Sequence, residues 1–305
     1  IPAGADAVIM QEQTESEGDT VTLRRWPDQG DNIRRAGDDL QAGDTVLPAG
    51  RRITSADLGL MASLGQAEVE IVRPLRVAFF STGDELRGVG EILAAGEIYD
   101  SNRYSLYGML SSLQVDLMDM GVVPDDPTAV QDALTGAAAQ ADVVITSGGV
   151  SVGEADFVGQ IVRDQGEAHF WSLAMKPGRP LTFGRFADAW FFGLPGNPVS
   201  VMATFTQVVT PALRQLAGET LRPRPRFRLP CRSNLSKKPG RQDFQRARLV
   251  ISEDGSLAVE SVGRQGSGML RSMSAADCFI VLAADSGDVT AGDWVTVEPF
   301  GKPLI

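Results

Sequence analysis

The spacing of apolar positions changes near Pro74. Before it, apolar residues come in short runs broken by Gly and Asp. Ala7-Val8-Ile9-Met10 and Val21-Thr22-Leu23 predict strands, and 55–64 predicts a short helix set among further strands. After it, compact apolar runs alternate with longer segments of helical period. Arg76-Val77-Ala78-Phe79-Phe80, 115–120 and 142–146 predict strands. The stretch 102–113 predicts a helix with Leu106, Met109, Leu110 and Leu113 on one face, and 126–140 and 155–165 predict two more. Asp126 suits an N-cap and Pro127 the first helical position. Such alternation builds βαβ units. The fold class is therefore α/β, with a central, mainly parallel sheet that takes ligands at the carboxyl ends of its strands. From 222 the period returns to two: Arg222, Arg224, Arg226 and Arg228 alternate with Leu221, Pro223, Pro225 and Phe227. This predicts an edge strand with a solvated basic face, opening a small β domain that ends with 295–299. Four parts result: β-rich 1–43, mixed 44–74, α/β 75–223 and β-rich 224–305.

Composition narrows the function. Hydrophobic residues make up 43% and charged residues 22%, enough for a packed core. The uncharged stretch 189–213 is long enough to span a bilayer, but Pro195-Gly196-Asn197-Pro198 interrupts it. A buried strand, a tight turn and a buried helix are expected there, and no membrane association. The net charge of −11 divides into −6 over 1–74, −8 over 75–223 and +3 over 224–305. An acidic body argues against nucleic acid as a partner. Two cysteines, Cys231 and Cys278, and one histidine, His169, argue against a disulfide framework, a zinc site or a Ser-His-Asp set, and fit a reducing cytoplasm. His169 lies in an apolar strand-like run and reads as structural. The chain begins at Ile1, in what reads as a strand, so an N-terminal part is expected to be missing.

Three turns carry candidate chemistry. Ser147-Gly148-Gly149-Val150-Ser151-Val152-Gly153 follows a predicted buried strand and opens a helix. Glycines there let backbone amides approach an anion, although a plain Gly-rich βα turn reads the same way. Glu154 and Asp156 close the loop and point to a metal partner for the anion. Thr82-Gly83-Asp84-Glu85 ends the first strand of that sheet and Asp125 follows the second, so Glu85, Asp125 and Asp156 can share a cleft as hard oxygen ligands for Mg²⁺. Met175-Lys176-Pro177-Gly178-Arg179-Pro180 sets two cations around a rigid turn, suited to an oxyanion or simply solvated. Leu194-Pro195-Gly196-Asn197-Pro198-Val199-Ser200 is a constrained turn at a helix start.

Together with Ile1-Pro2-Ala3-Gly4-Ala5-Asp6-Ala7-Val8 and Tyr99-Asp100-Ser101-Asn102, these motifs occur in the order found in the MoeA family, which includes the gephyrin E domain, and the chain resembles that family over essentially its whole length. The resemblance implies an α/β domain of molybdopterin-binding type flanked by β-containing domains, in a cytoplasmic homodimer. It implies an upstream molybdopterin adenylyltransferase. The implied reaction inserts molybdate into adenylylated molybdopterin, with Mg²⁺-dependent release of AMP. The family's functional acids fall on Asp39, Glu85, Asp125 and Asp156, and its anion-site positions on Lys176, Ser200, Arg246 and Ser267. The family's further N-terminal stretch is absent, and Ser172 stands where some relatives carry Lys. On this reading Mg²⁺ is held by Glu85, Asp125 or Asp156, and the amides of 147–153 hold the pterin-side phosphate. Lys176 and Arg179 attract molybdate, Arg246 and Ser267 complete its site, and Asp39 reaches a cleft shared with the partner subunit. Two alternatives stand beside it: a non-catalytic scaffold on the same fold, and another nucleotide or phosphosugar enzyme with a doubly wound sheet.

Overall fold

The computed structural model describes residues 1–149 and 157–301, apart from the side chain of Phe170. Two compact units divide it, 1–67 and 68–305. In the first, β1 (Thr14–Glu17) and β2 (Thr20–Leu23) form an antiparallel pair, and α1 spans Ser55–Ser63. Thr54 and Asp57 cap α1 reciprocally. The other strands expected in 1–74 do not form: 7–10 and the start at Ile1 are irregular, as is 64–75. Aspartates organise the irregular chain between 28 and 44. Asp31, Asp38 and Asp44 each accept a hydrogen bond from the backbone amide three residues earlier, at Asp28, Arg35 and Gln41. Such local bonds compete with a ladder.

The second unit holds a six-stranded sheet. Its strands are β3 (Arg76–Thr82), β6 (Asp116–Val123), β7 (Val143–Ser147), β8 (Glu167–Ser172), β10 (Pro180–Phe186) and β11 (Ala189–Leu194), with the short strands β4 (Leu86–Arg87), β5 (Ile98–Tyr99) and β9 (Met175–Lys176) outside it. The order is β6-β3-β7-β11-β10-β8. The first four are mutually parallel; β10 and β8 are antiparallel additions. Helices α2 (Ser101–Ser111), α3 (Pro127–Ala138), α4 (Phe157–Gln165), α5 (Pro198–Thr204) and α6 (Thr210–Leu216) cover it on both sides, with a π turn at Phe205–Val209 between the last two. Successive strand residues serve opposite faces. Val77, Phe79, Val143 and Ile145 meet Leu106 and Leu110 of α2 and Val201, Phe205 and Leu213. Ala78, Phe80 and Val144 meet Val130 and Leu134 of α3 and Val158 and Val162 of α4. The predicted helices and strands of this part form, although 155–156 of the third helix lie outside the described residues, and Asp126 caps α3 through the amides of Thr128 and Ala129. His169 sits exposed on the edge strand β8, its ring stacked on Trp171.

The C-terminal sheet contains β12 (Phe227–Pro230), β13 (Gln242–Ile251), β14 (Leu257–Ser261), β15 (Cys278–Leu282) and β16 (Trp294–Pro299), in the order β12-β16-β15-β13-β14. It joins the α/β part in two ways. Strand β9 pairs in parallel with β13, placing Met175 beside Gln242 and Lys176 beside Asp243. Val199 and Ala203 of α5 pack with Phe244, Phe279 and with Met273 of the short helix α7 (Leu270–Ser274). No helix among the described residues is long and apolar enough to cross a membrane.

The arginine alternation is the main correction. The edge strand begins only at Phe227, and although Arg222, Arg226 and Arg228 are exposed, Arg224 and Arg226 are not merely solvated. Both grip Glu298 of β16, which is 1% exposed, and Gln207 of the π turn donates to the same carboxylate at 2.6 Å. Arg224 also donates to the Thr206 carbonyl. A carboxylate this deep is tolerable only with its donors in place. Burial alone would push the Glu298 carboxyl up; the hydrogen bonds from Gln207, Arg226 and Arg224 outweigh it and hold the group below its ordinary value. A depressed carboxyl stabilises the fold above its unfolded value and loses that contribution as pH falls through the folded one. Arg224→Ala should therefore cost roughly 3 kcal/mol at pH 7 in urea unfolding. The gap to the unsubstituted chain should narrow as the pH is lowered below the ordinary carboxylate range and Glu298 takes a proton; a gap independent of pH would contradict the assignment.

Candidate functional site

At the carboxyl end of the parallel strands lies a cleft of about 690 Å³. The chain runs from β3 to β6 on one side and then crosses back to β7 on the other side of β3, so the cleft sits where the strand order reverses, the usual ligand position in such sheets. Each strand delivers residues to it: Thr82, Gly83 and Glu85 after β3, Asp125 after β6, Gly148 and Gly149 after β7, and Pro195, Gly196 and Asn197 after β11. Lys176 to Pro180 form another part of the wall, Ser200 contributes from α5, and Arg241 with 265–267 comes from the C-terminal part.

The glycine pair is required by packing. Gly148 has φ +87°, and a Cβ there would lie 2.4 Å from the Thr82 carbonyl oxygen; one on Gly149 would lie 2.9 Å from Val158. The loop therefore hugs the end of β3, which leaves it bare of side chains on the cleft. Gly178 is held in the same way, since its Cβ would fall 2.3 Å from the Thr204 hydroxyl. Around this loop the peptide bond from Lys176 to Pro177 is cis.

Acids gather on one side of the sheet. Thr82 donates to Asp125 at 3.2 Å, and the Asp125 amide donates to Asp84 at 3.3 Å. Burial is the chief cause pushing the Asp125 carboxyl up; the Thr82 hydrogen bond opposes it, and the charges of Asp84 and Glu85 add to it. Negative charge accumulated against burial is what a hard divalent cation relieves, so Glu85 and Asp125 fit Mg²⁺ as oxygen donors. Among the described residues no group of three His, Cys, Asp or Glu could hold a metal ion. Phosphate oxygens and water would have to supply further ligands.

The cations are committed to different degrees. Lys176 Nζ lies 3.2 Å from Asp243, a side chain 5% exposed. Arg179 donates through Nε to Ser172 at 2.9 Å, so Ser172 acts as its rest. Arg241, just ahead of β13, lines the cleft and has no ion pair or hydrogen bond among the described residues.

The structure separates the predicted site residues. Thr82, Gly83, Glu85, Asp125, Gly148, Gly149, Lys176, Arg179, Pro195, Gly196, Asn197, Ser200 and Ser267 come together in the cleft. Asp84 lines a neighbouring hollow, and Ser147 is buried behind the cleft. Arg246 is also buried, at 1% exposure, so it offers no open fork to a ligand. It donates to Ser272 and to the carbonyls of Arg264 and Gly266, and so braces the loop that carries Ser267. Burial brings its guanidinium down to about 10, against the opposing pull of Asp243. Asp39 belongs to the first unit and is exposed there. Ser151, Gly153 and Asp156 lie outside the described residues. Sequence reasoning missed Arg241, one arginine among ten basic residues between 222 and 248, and Gln265. The adjacent Gly240, with φ +116°, is the one local signal for the first.

Known proteins give this geometry its family. Residues 78–215 match the probable molybdopterin binding domain, 1–65 the MoeA N-terminal region (domain I and II) and 228–300 the MoeA C-terminal region (domain IV). The molybdopterin molybdenumtransferase of Haemophilus influenzae is 47% identical over 306 residues, covering 100% of this chain and 76% of that protein. Gephyrin of Dictyostelium discoideum is 31% identical over 97% of this chain and 46% of its own length. The crystal structure of the molybdopterin biosynthesis MoeA protein from Pyrococcus horikoshii superposes with a TM-score of 0.76 at 27% identity, over 98% of this chain and 73% of that one. On identity and coverage together, the chain belongs to the MoeA family of molybdopterin molybdenumtransferases.

Proposed function

We propose that the chain inserts molybdate into adenylylated molybdopterin, with Mg²⁺-dependent release of AMP, as a step of molybdenum cofactor biosynthesis. One observation carries this reading: a single cleft at the switch point holds two carboxylates, Glu85 and Asp125, together with the cations Lys176, Arg179 and Arg241. Carboxylates suit a divalent ion, bare glycine backbone suits a phosphate, and cations suit a compact oxyanion. A scaffold has no need of that combination.

Each part of the cleft then has a task. The backbone of Gly148 and Gly149 approaches the phosphates closely because neither residue carries a side chain. Glu85 and Asp125, with Asp156, would hold Mg²⁺, which neutralises phosphate charge when bound. Arg179 and Arg241 hold molybdate as the incoming substrate, and Lys176 shares its ammonium between molybdate and Asp243. Arg246 acts from beneath by keeping Ser267 in position. Asp39 serves a cleft shared across a homodimer, and a molybdopterin adenylyltransferase in the same cytoplasm supplies the substrate.

The direct test is AMP release from adenylylated molybdopterin by the purified chain with molybdate and Mg²⁺. Asp125→Asn should lower the rate by about a hundredfold in a folded protein, the scale expected when charge stabilisation is removed. Near-normal release by that variant would remove Asp125 from the mechanism.

Lys176→Ala should weaken molybdate binding by about tenfold, as for loss of one charge-assisted hydrogen bond. Its effect on AMP binding should stay within about twofold, since a point cation acts locally. Separate titrations of the two ligands check this, and equal losses would refute the division of labour.

Metal preference follows from the ligands. The chain has one histidine, and both cysteines are buried, with burial pushing the Cys278 thiol up to about 12. Activity should follow Mg²⁺ or Mn²⁺ and survive a zinc-selective chelator. Stoichiometric, tightly bound zinc in the purified protein would contradict it.

A further inference from the structure

The Tyr99-Asp100-Ser101-Asn102 motif has no task in the proposed reaction, yet its last residue lies behind the cleft at a junction of two loops. Asn102 is 7% exposed and sits in the first turn of α2, which Asp100 caps through the amide of Arg103. Leu106 and Leu110 fix that helix on the sheet with no exposure at all. From there the Asn102 Nδ2 amide donates twice, to Ser147 Oγ at 2.8 Å and to the Gly196 carbonyl at 2.8 Å.

Both acceptors belong to loops that line the cleft. Ser147 ends β7 and directly precedes Gly148 and Gly149. Gly196 lies between Pro195 and Asn197, after β11. The strands are parallel neighbours, with Leu194 beside Ser147. Their loops are also joined by the Gly148 amide donating to the Leu194 carbonyl at 3.2 Å. Asn102 itself does not line the cleft, and its Oδ1 is buried without a partner among the described residues.

The chemistry selects the residue type. A hydroxyl oxygen and a carbonyl oxygen are served together by one neutral nitrogen with two protons. Aspartate has the same shape but lacks both protons at neutral pH, so it would set a carboxylate against the Gly196 carbonyl. A donor lost in a dry site leaves its acceptor unsatisfied, and the loops must move to find another.

We propose that Asn102 is a positioning residue: through Ser147 and Gly196 it fixes the spacing of the 148–149 and 195–197 loops, and with it the seat of the phosphate-bearing substrate. The kinetic part of the test rests on the proposed function; the structural part does not.

The test uses the full chain with Asn102→Asp. Hydrogen–deuterium exchange should quicken in peptides containing Gly148–Gly149 and Pro195–Asn197, and stay unchanged in peptides from β3 and β13. The KM for adenylylated molybdopterin should rise about tenfold while kcat stays within about threefold, because misplaced loops weaken ground-state and transition-state binding alike. Unchanged exchange in the two loops overturns the proposal, as does a uniform rise across the chain or a fall in kcat at constant KM. If the unsubstituted chain releases no AMP, the substrate assignment fails while exchange still decides the role of Asn102. Should Asn102→Asp not fold, Asn102→Ser, which is shorter and keeps one hydroxyl donor, is read by the same measurements.

Discussion

Strands β3, β7 and β11 are covered on both faces, and this burial governs where everything else can go. From Val77 to Phe80 and from Val143 to Thr146 each residue is fully buried, and the apolar ones are claimed by one core or the other. Such strands leave no lateral room for a ligand, so chemistry is displaced past their last residues. The parallel arrangement brings those last residues to one edge of the sheet. Thr82, Gly148 and Leu194 end up as neighbours, and two glycines are the adjustment that lets the chain turn there without collision.

The opposite wall depends on a different joint. Strand β9 is two residues long, yet its parallel pairing with β13 makes part of the wall continuous with the C-terminal sheet. Lys176 thereby acquires Asp243 as a neighbour, and Arg241 reaches the cleft from two residues before that aspartate. The Val199 amide donates to the Ser267 carbonyl at 3.0 Å, which ties the start of α5 to the loop braced by Arg246. Electrostatic character is therefore assembled from both parts of the second unit: carboxylates from the large sheet, one cation from its partner, and two from the turn between.

What could be read from sequence depended on whether one rule sufficed. Helix α2 was legible because Leu106, Met109, Leu110 and Leu113 recur at helical spacing, and α3 because Asp126-Pro127 announces its start. The cleft loops were legible because β/α alternation puts every strand exit on one edge. Arg246, carried over from the family's anion-site positions, misled because a motif match does not show burial. Strand β13 has no wet face over Asp243 to Ala247: Phe244 packs toward α5 and α7 while Ala247 faces the opposite core. Arg224 misled because its partner, Glu298, is 74 residues away and no local pattern signals so distant a buried acid. The pairing of β9 is too short to leave any period. In 1–74, Val21-Thr22-Leu23 does form a strand, while 7–10 stays irregular, and the aspartates Asp31, Asp38 and Asp44 close local turns in the segment that follows.

The grip on Glu298 redraws the boundary of the C-terminal domain. By composition, the natural seam falls at Pro223, where net charge changes sign. By hydrogen bonding, Arg224 and Arg226 already belong to the C-terminal sheet, while Gln207 reaches into it from the α/β part. A chimaera that exchanges this domain between relatives must carry all four side chains as one inherited block. Cut at the visible seam, the incoming acid would meet whatever the recipient happens to present, and the hybrid would fold only where that lineage had kept matching donors.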